Sequence, residues 1–125
     1  KRRPRANVME VMNIIGNVEG KKCLLVDDMI DTGAKMADAA AVLKQAGATD
    51  VYGCATHAIF SGNAVNELKN SALKEVVVTD TIQMPEEKKF EQLRILSVAP
   101  IFAKAITLIY HNQSVDSLFN KNDNI

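Results

Sequence analysis

One stretch decides the fold, Cys23-Leu24-Leu25-Val26-Asp27-Asp28-Met29-Ile30-Asp31-Thr32-Gly33-Ala34-Lys35. Its first four residues form a short, continuous apolar run, which is typical of a parallel strand covered on both faces. Asp27 and Asp28 follow at once, and two carboxylates are too costly to bury without partners. The carboxyl end of this strand must therefore open to solvent, a metal ion or a polyol.

The residues after this strand predict a turn that leads into a helix. Thr32 or Asp31 is expected to cap the exposed amides, and Gly33 is expected to adopt a positive φ. The amino terminus of a helix favours an anion, and open α/β sheets bind ligands in the crevice outside the carboxyl ends of their strands. A sugar phosphate, which carries both hydroxyls and a phosphate, fits carboxylates beside such a cradle.

The residues alone do not decide the role of the aspartate pair or the role of the turn that follows it. Paired carboxylates such as Asp27 and Asp28 bind Mg²⁺ through water, accept hydrogen bonds from ribose hydroxyls, or cap neighbouring turns. Residues 31–35 fit either a phosphate cradle or an ordinary capped helix start.

Strands and helices alternate along the rest of the chain. The predicted strands are 23–26, 50–56, 75–79 and 93–98, and the stretch 8–15 is expected to pair with 22–26 as a hairpin-like arm. Apolar residues at helical spacing predict helices over 36–46, 64–68 and from Ala99 onward, where Pro100 suits a first turn. In the last helix we expect five residues to face inward: Ile101, Phe102, Ala105, Leu108 and Ile109.

Composition indicates one soluble globular domain. The chain has 125 residues, of which 47% are hydrophobic and 24% charged, and its formal net charge of +0 provides no global field for nucleic acid. No apolar run approaches the roughly 20 residues of a membrane span. Cys23 and Cys54 lie in apolar runs, so we expect reduced, buried thiols, as in cytosolic proteins. The first residue is not Met, so we expect a portion of a longer protein.

The motif Val-Asp-Asp-Met-Ile-Asp-Thr-Gly at 26–33 resembles the ribose-5-phosphate-binding loop of proteins with the type I phosphoribosyltransferase fold. Within that group, the chain resembles the ribose-phosphate pyrophosphokinases, also called phosphoribosyl pyrophosphate synthetases. Four further segments resemble this family in the same order, at 1–5, 11–16, 56–62 and 114–119. The resemblance covers nearly the whole chain and is to the family's C-terminal portion.

The resemblance implies a three-layer α/β/α sandwich with a mostly parallel sheet, phosphoribosyltransferase-like and truncated at its N-terminal side. Residues 1–125 would be a partial C-terminal domain of this type. Within it, residues 1–7 correspond to a flexible catalytic loop and residues 113–125 to a C-terminal tail.

The activity implied by the resemblance is transfer of the diphosphoryl group of ATP to ribose 5-phosphate, with Mg²⁺ as cofactor. The products are 5-phospho-α-D-ribose 1-diphosphate and AMP, and the pathway served is nucleotide biosynthesis. The resemblance further implies a cytoplasmic homohexamer that binds neither nucleic acid nor membrane. The ATP-binding segments would lie in a missing N-terminal domain and a neighbouring subunit, so we expect this chain alone to be inactive.

The resemblance also assigns residues to roles. Lys1 and Arg3 match catalytic loop cations over the transferring diphosphoryl group, and Arg3 also matches a substrate contact. Asp27 and Asp28 match the residues that contact ribose hydroxyls and, indirectly, the metal. The cradle for the 5-phosphate corresponds to Asp31, Thr32, Gly33, Ala34 and Lys35. A segment that contributes to an allosteric anion site between subunits corresponds to Ser114, Val115 and Phe119.

The chain departs from the family pattern at two positions of this cradle. The family usually has Gly where Ala34 stands and Thr where Lys35 stands. Lys35 either compensates as a point charge on the phosphate or marks a weakened site. The second possibility makes a catalytically silent regulatory or scaffold subunit the alternative function. A nucleic-acid-binding regulator on the same fold is disfavoured by the net charge of +0.

Overall fold

The computed structural model describes residues 13–119, which form a parallel sheet connected by helices. The strands are β1 (Lys22–Ile30), β2 (Asp50–Ala58), β3 (Leu73–Thr79) and β4 (Leu93–Leu96). The α-helices are α1 (Ala34–Gln45), α2 (Ala64–Lys69) and α3 (Ala99–Tyr110), and short 3₁₀ helices occupy Glu86–Lys88 and Val115–Leu118. The sheet order is β1-β2-β3-β4, and each neighbouring pair is parallel. The predicted α/β class with a parallel sheet is confirmed. The expected hairpin-like arm is not found in the described residues, because 13–15 form no strand and β1 pairs with β2.

The register of the strands aligns their carboxyl ends at one edge of the sheet. Asp27 lies opposite Ala55, and Ile30 lies opposite Ala58. The loops that follow β1 and β2 therefore leave the sheet side by side, which is where the sequence predicted a ligand crevice.

Helices α1 and α2 pack against each other and cover one face of the sheet. Gly53 on β2 lets Met36 of α1 pack closely against the sheet, because a Cβ atom at Gly53 would lie only 2.6 Å from Met36 Sδ. The fully or nearly fully buried residues of this core include Met36, Ala40, Val51, Ala55, Leu68, Val76 and Val78. The core of the described region therefore lies between α1, α2 and one face of the sheet.

The opposite face of the sheet is uncovered by the described residues. Along β1, Cys23 and Leu25 pack against the core, whereas the alternate residues Leu24 and Val26 are 61% and 74% exposed. Leu96 on β4 is also exposed. The expectation that β1 is covered on both faces is not met within residues 13–119, and the three-layer sandwich stays a prediction.

Helix α3 corrects a second expectation. Of its five residues predicted to face inward, only Ala105 and Leu108 are half-buried, and Ile101, Phe102 and Ile109 are exposed. The prediction was wrong for these three, because α3 packs against the Val115–Leu118 3₁₀ helix rather than across the sheet. The apolar side of α3 remains open to solvent in the described region.

Cys23 and Cys54 are both free thiols, as the sequence predicted, but each is half-buried rather than buried. Across residues 13–119, no helix is both long and apolar enough to cross a bilayer.

Candidate functional site

A cleft of about 100 Å³ opens at the carboxyl end of β1, beside the start of α1. Its walls are Asp27, Met29, Ile30, Asp31, Thr32, Gly33, Lys35 and Met36. The structure thus brings together most of the predicted substrate-binding residues. Of the others, Asp28 and Ala34 adjoin the cleft in sequence but do not line it, and Arg3 lies outside the described residues.

Gly33 is the N-cap of α1 and lines the cleft. Its φ of +80° confirms the predicted left-handed backbone, which side chains other than glycine rarely adopt. A Cβ atom at Gly33 would also lie 3.1 Å from Leu68 Cγ and 3.3 Å from the carbonyl oxygen of Ala64. Glycine is therefore required both for the turn and for the close approach of α2.

The predicted side-chain cap of α1 is not formed. The N-cap is Gly33, and neither Thr32 nor Asp31 accepts a capping hydrogen bond from the helix. The first helical hydrogen bond runs from the Ala37 amide to the Gly33 carbonyl at 3.0 Å. The amides of residues 34–36 therefore have no partner within the helix and are available to a ligand at the cleft.

The charge of this helix end also favours an anion. The first turn of α1 contains no acidic residue, and its second residue is Lys35, which lines the cleft. A cation in the first turn is disfavoured by the helix dipole, typically by about 0.3–1 kcal/mol. A bound anion would offset this unfavourable free energy, because it would be attracted by both the lysine and the helix terminus.

Asp31 is held by the segment that follows β2. The Ser61 amide donates to the Asp31 carbonyl at 3.0 Å, and the Ser61 hydroxyl donates to Asp31 Oδ1. The sequence predicted Ser61 to lie in a turn and cap before α2, within the family-like segment 56–62, but it predicted no contact with Asp31. A signal for this contact was its position just after the strand that neighbours β1, where parallel strands bring their following loops together.

Asp27 and Asp28 are adjacent and exposed, and the Asp28 amide donates to Asp27 Oδ1 at 2.9 Å. Asp27 lines both the cleft and a groove on the uncovered sheet face. Residues 13–119 contain no group of three or more His, Cys, Asp or Glu side chains placed to hold a metal. The donor set therefore does not form an all-protein cage, but it fits Mg²⁺ that keeps its waters and takes one or two carboxylates together with substrate phosphates.

Of the remaining predicted residues, Ser114, Val115 and Phe119 do not line this cleft. Lys1, like Arg3, lies outside the described residues, so the catalytic roles of both stay predictions. Ser114 accepts a hydrogen bond from the Asp116 amide at 3.1 Å and so caps the last 3₁₀ helix, next to half-buried Val115. Phe119 is exposed. Their predicted allosteric role also stays a prediction.

A family model described as the phosphoribosyl synthetase-associated domain matches residues 4–120. The chain belongs to this family. Among the curated relatives, it is 56% identical over 119 residues to a ribose-phosphate pyrophosphokinase of Caldanaerobacter subterraneus subsp. tengcongensis, covering 95% of this chain and 38% of the relative. It is 52% identical over 120 residues to the ribose-phosphate pyrophosphokinase of Bacillus subtilis, covering 96% of this chain and 38% of the relative.

The fold has a matching solved structure. A crystal structure of phosphoribosylpyrophosphate synthetase from Mycobacterium smegmatis superposes with a TM-score of 0.77 at 44% sequence identity, covering 78% of this chain and 33% of that one. These relatives are named as ribose-phosphate pyrophosphokinases or, for the solved structure, as a phosphoribosylpyrophosphate synthetase. The chain spans 38% of the length of the two curated relatives described above.

Proposed function

We propose that the chain is part of a ribose-phosphate diphosphokinase that converts ATP and ribose 5-phosphate to 5-phospho-α-D-ribose 1-diphosphate and AMP. One observation carries the proposal. The uncapped first turn of α1 opens into a cleft that also contains the Asp27 carboxylate, in a chain 56% identical to a protein named for this reaction.

The cleft has separate features for the two ends of a sugar phosphate. The amides of residues 34–36 and the Lys35 ammonium suit the dianionic 5-phosphate. Asp27 suits the ribose hydroxyls, because an ionised carboxylate accepts hydrogen bonds and cannot donate them. Asp28 does not line the cleft, and its assignment to the ribose hydroxyls or, through water, to the metal rests on the family resemblance.

The reaction is a displacement at phosphorus. The 1-hydroxyl oxygen of ribose 5-phosphate attacks the β-phosphorus of ATP, and the bond from that phosphorus to the α–β bridging oxygen breaks. AMP leaves with the bridging oxygen, and the hydroxyl proton passes to solvent. Mg²⁺, when bound, would offset the charge of the diphosphoryl group. The protein mainly positions the substrates and stabilises charge, and we assign this second task to Lys1 and Arg3.

We place the chain in the C-terminal portion of its parent enzyme, with the ATP-binding segments elsewhere in that enzyme. The chain spans 38% of the length of its curated relatives, and residues 13–119 leave one apolar face of the sheet uncovered. Parallel sheets are normally covered on both faces, so a further layer from the parent protein would complete the sandwich. The purified chain should then form no phosphoribosyl diphosphate, and appreciable product from it would contradict this placement.

A catalytically silent regulatory subunit is the second candidate. It is favoured by Ala34 and Lys35, which stand where the family usually has Gly and Thr. In this reading the cleft has lost its affinity for the sugar phosphate, while the surfaces that contact an active partner remain.

Calorimetric titration of ribose 5-phosphate with Mg²⁺ separates the two candidates. We would compare the wild-type chain with the Ala34→Gly, Lys35→Thr double variant and with Lys44→Thr, which removes a lysine from the opposite end of α1. Binding by all three supports the enzyme. Binding by the double variant alone supports the silent subunit, and binding by none contradicts the proposed site.

A further inference from the structure

The segment that follows β2 runs along the end of β1 and contacts it closely. The amides of Ile59 and Phe60 both donate to the Ile30 carbonyl, at 3.0 and 3.1 Å. The next amide, that of Ser61, donates to the Asp31 carbonyl at 3.0 Å. These three bonds fix the backbone of the loop that leads into the phosphate cradle.

Phe60 adopts an unusual backbone conformation that allows this path. Its φ is +48°, in a region that bulky residues rarely occupy, yet its side chain is fully buried. The Phe60 ring lies 6.3 Å from the ring of Phe90, and Lys88 Nζ donates to the Phe60 carbonyl oxygen at 2.8 Å. The surrounding structure thus holds the strained residue in place, which is characteristic of functional loops.

The result of this turn is that Ser61 contacts Asp31 twice, through its amide and through its hydroxyl. The hydroxyl donates to Asp31 Oδ1, so one oxygen of the carboxylate is occupied and the other is left for a different donor. Asp31 lines the cleft beside the anion-favouring start of α1. A carboxylate so placed repels a phosphate.

We propose that Ser61 is a positioning residue for ligand selection: it holds the Asp31 carboxylate so that the free oxygen accepts a hydrogen bond from a sugar hydroxyl. The cleft would then prefer a hydroxylated phosphate ester to inorganic phosphate, because only the ester supplies a donor that offsets the carboxylate. This inference rests on the proposed function and adds to it the residue that sets ligand preference.

The test compares the affinities of ribose 5-phosphate and inorganic phosphate, measured by calorimetry in wild type and three variants. Ser61→Ala removes the hydroxyl but keeps the amide contact, so the loop should still form. Ser61→Thr restores a hydroxyl at the same position. Ser71→Ala is the matched control, because it removes a hydroxyl that donates to the Leu68 carbonyl at 2.6 Å, at the end of α2 and away from the cleft.

Ser61→Ala should weaken ribose 5-phosphate binding about tenfold, the effect of losing one hydrogen bond to a charged group, and leave phosphate binding within about twofold. Ser61→Thr and Ser71→Ala should bind both ligands as wild type does. In an Asp31→Ala background, Ser61→Ala should have no further effect, because the group that it positions is gone.

Three results would overturn the inference alone, provided that the wild type binds ribose 5-phosphate. These are an unaffected Ser61→Ala, an equal loss of both ligands in that variant, and a Ser61→Thr variant as weak as Ser61→Ala. Failure of the wild type to bind either ligand would instead contradict the proposed function, and this inference with it.

Discussion

Replacement of Gly33 by alanine tests whether the start of α1 is built as described. The φ of +80° disfavours any side chain, at a cost of about 1–2 kcal/mol. The added Cβ atom would also lie 3.1 Å from Leu68 Cγ and 3.3 Å from the Ala64 carbonyl oxygen. Crowding of this kind costs about 1 kcal/mol or more, so Gly33→Ala should lower the free energy of unfolding by roughly 2–3 kcal/mol in total.

Gly20 provides a matched control for this substitution. Its φ of +71° is similar, but a Cβ atom there would meet nothing within 4 Å. Gly20→Ala should therefore cost only the backbone term of about 1–2 kcal/mol. Urea denaturation followed by circular dichroism measures both variants, and the difference between them isolates the crowding against α2.

Gly33→Ala should also abolish ribose 5-phosphate binding, because it shifts the amides that follow, whereas Gly20→Ala should bind normally. If Gly33→Ala were no less stable than Gly20→Ala and bound the ligand equally well, the reasoning about this turn would be refuted.

Three further predictions concern the charge of the cleft, the uncovered sheet face and the start of α3. Lys35→Ala should weaken ribose 5-phosphate binding about two- to fivefold at low ionic strength, and the difference should shrink in 1 M salt; a calorimetric difference independent of salt would argue against a charge contact. Val26→Asp should change stability by less than about 0.5 kcal/mol because Val26 is 74% exposed, whereas Val76→Asp should unfold the chain because it buries an unpaired charge. Equal thermal destabilisation by both would mean that the face around Val26 is packed. The Val98 amide donates to Asp80 Oδ1 at 2.8 Å and holds the pKa of that carboxyl below its ordinary value of 3.8. The contribution of this hydrogen bond to stability should be complete at neutral pH and lost in acid, as the pH falls through the lowered pKa of Asp80. The Val98 amide resonance should therefore titrate below about pH 4 in wild type but not in Asp80→Asn.

The strands and the first turn of α1 were predictable because local signals agree there. A continuous apolar run and a glycine specify a strand and a left-handed turn, and the structure has both in β1 and Gly33. The predicted strand end at Val26 was wrong, because β1 continues to Ile30 and Asp27 and Asp28 lie within it. No contact distant in sequence is needed to choose between alternatives in this stretch.

The predictions that failed depended on packing partners that a sequence pattern does not specify. The periodicity of α3 identifies its apolar side, but not whether another element covers that side, so Ile101 and Phe102 were wrongly expected to face inward. Likewise, Ser61 and Asp31 lie 30 residues apart, and only the parallel pairing of β1 with β2 brings them together. The expected caps by Thr32 and Asp31 failed for a related reason, since the Asp31 carboxylate accepts from Ser61 instead.

The central claim is that the amides at the start of α1 bind a sugar phosphate, and amide chemical shifts report on it directly. Ribose 5-phosphate with Mg²⁺ would be titrated into the ¹⁵N-labelled chain, with ribose alone as the control. The account predicts that the largest shifts fall on Ala34, Lys35 and Met36, that Asp27 also responds, and that ribose alone leaves the three helix amides unmoved. Shifts that avoid these residues, or none at saturating ligand, would contradict it.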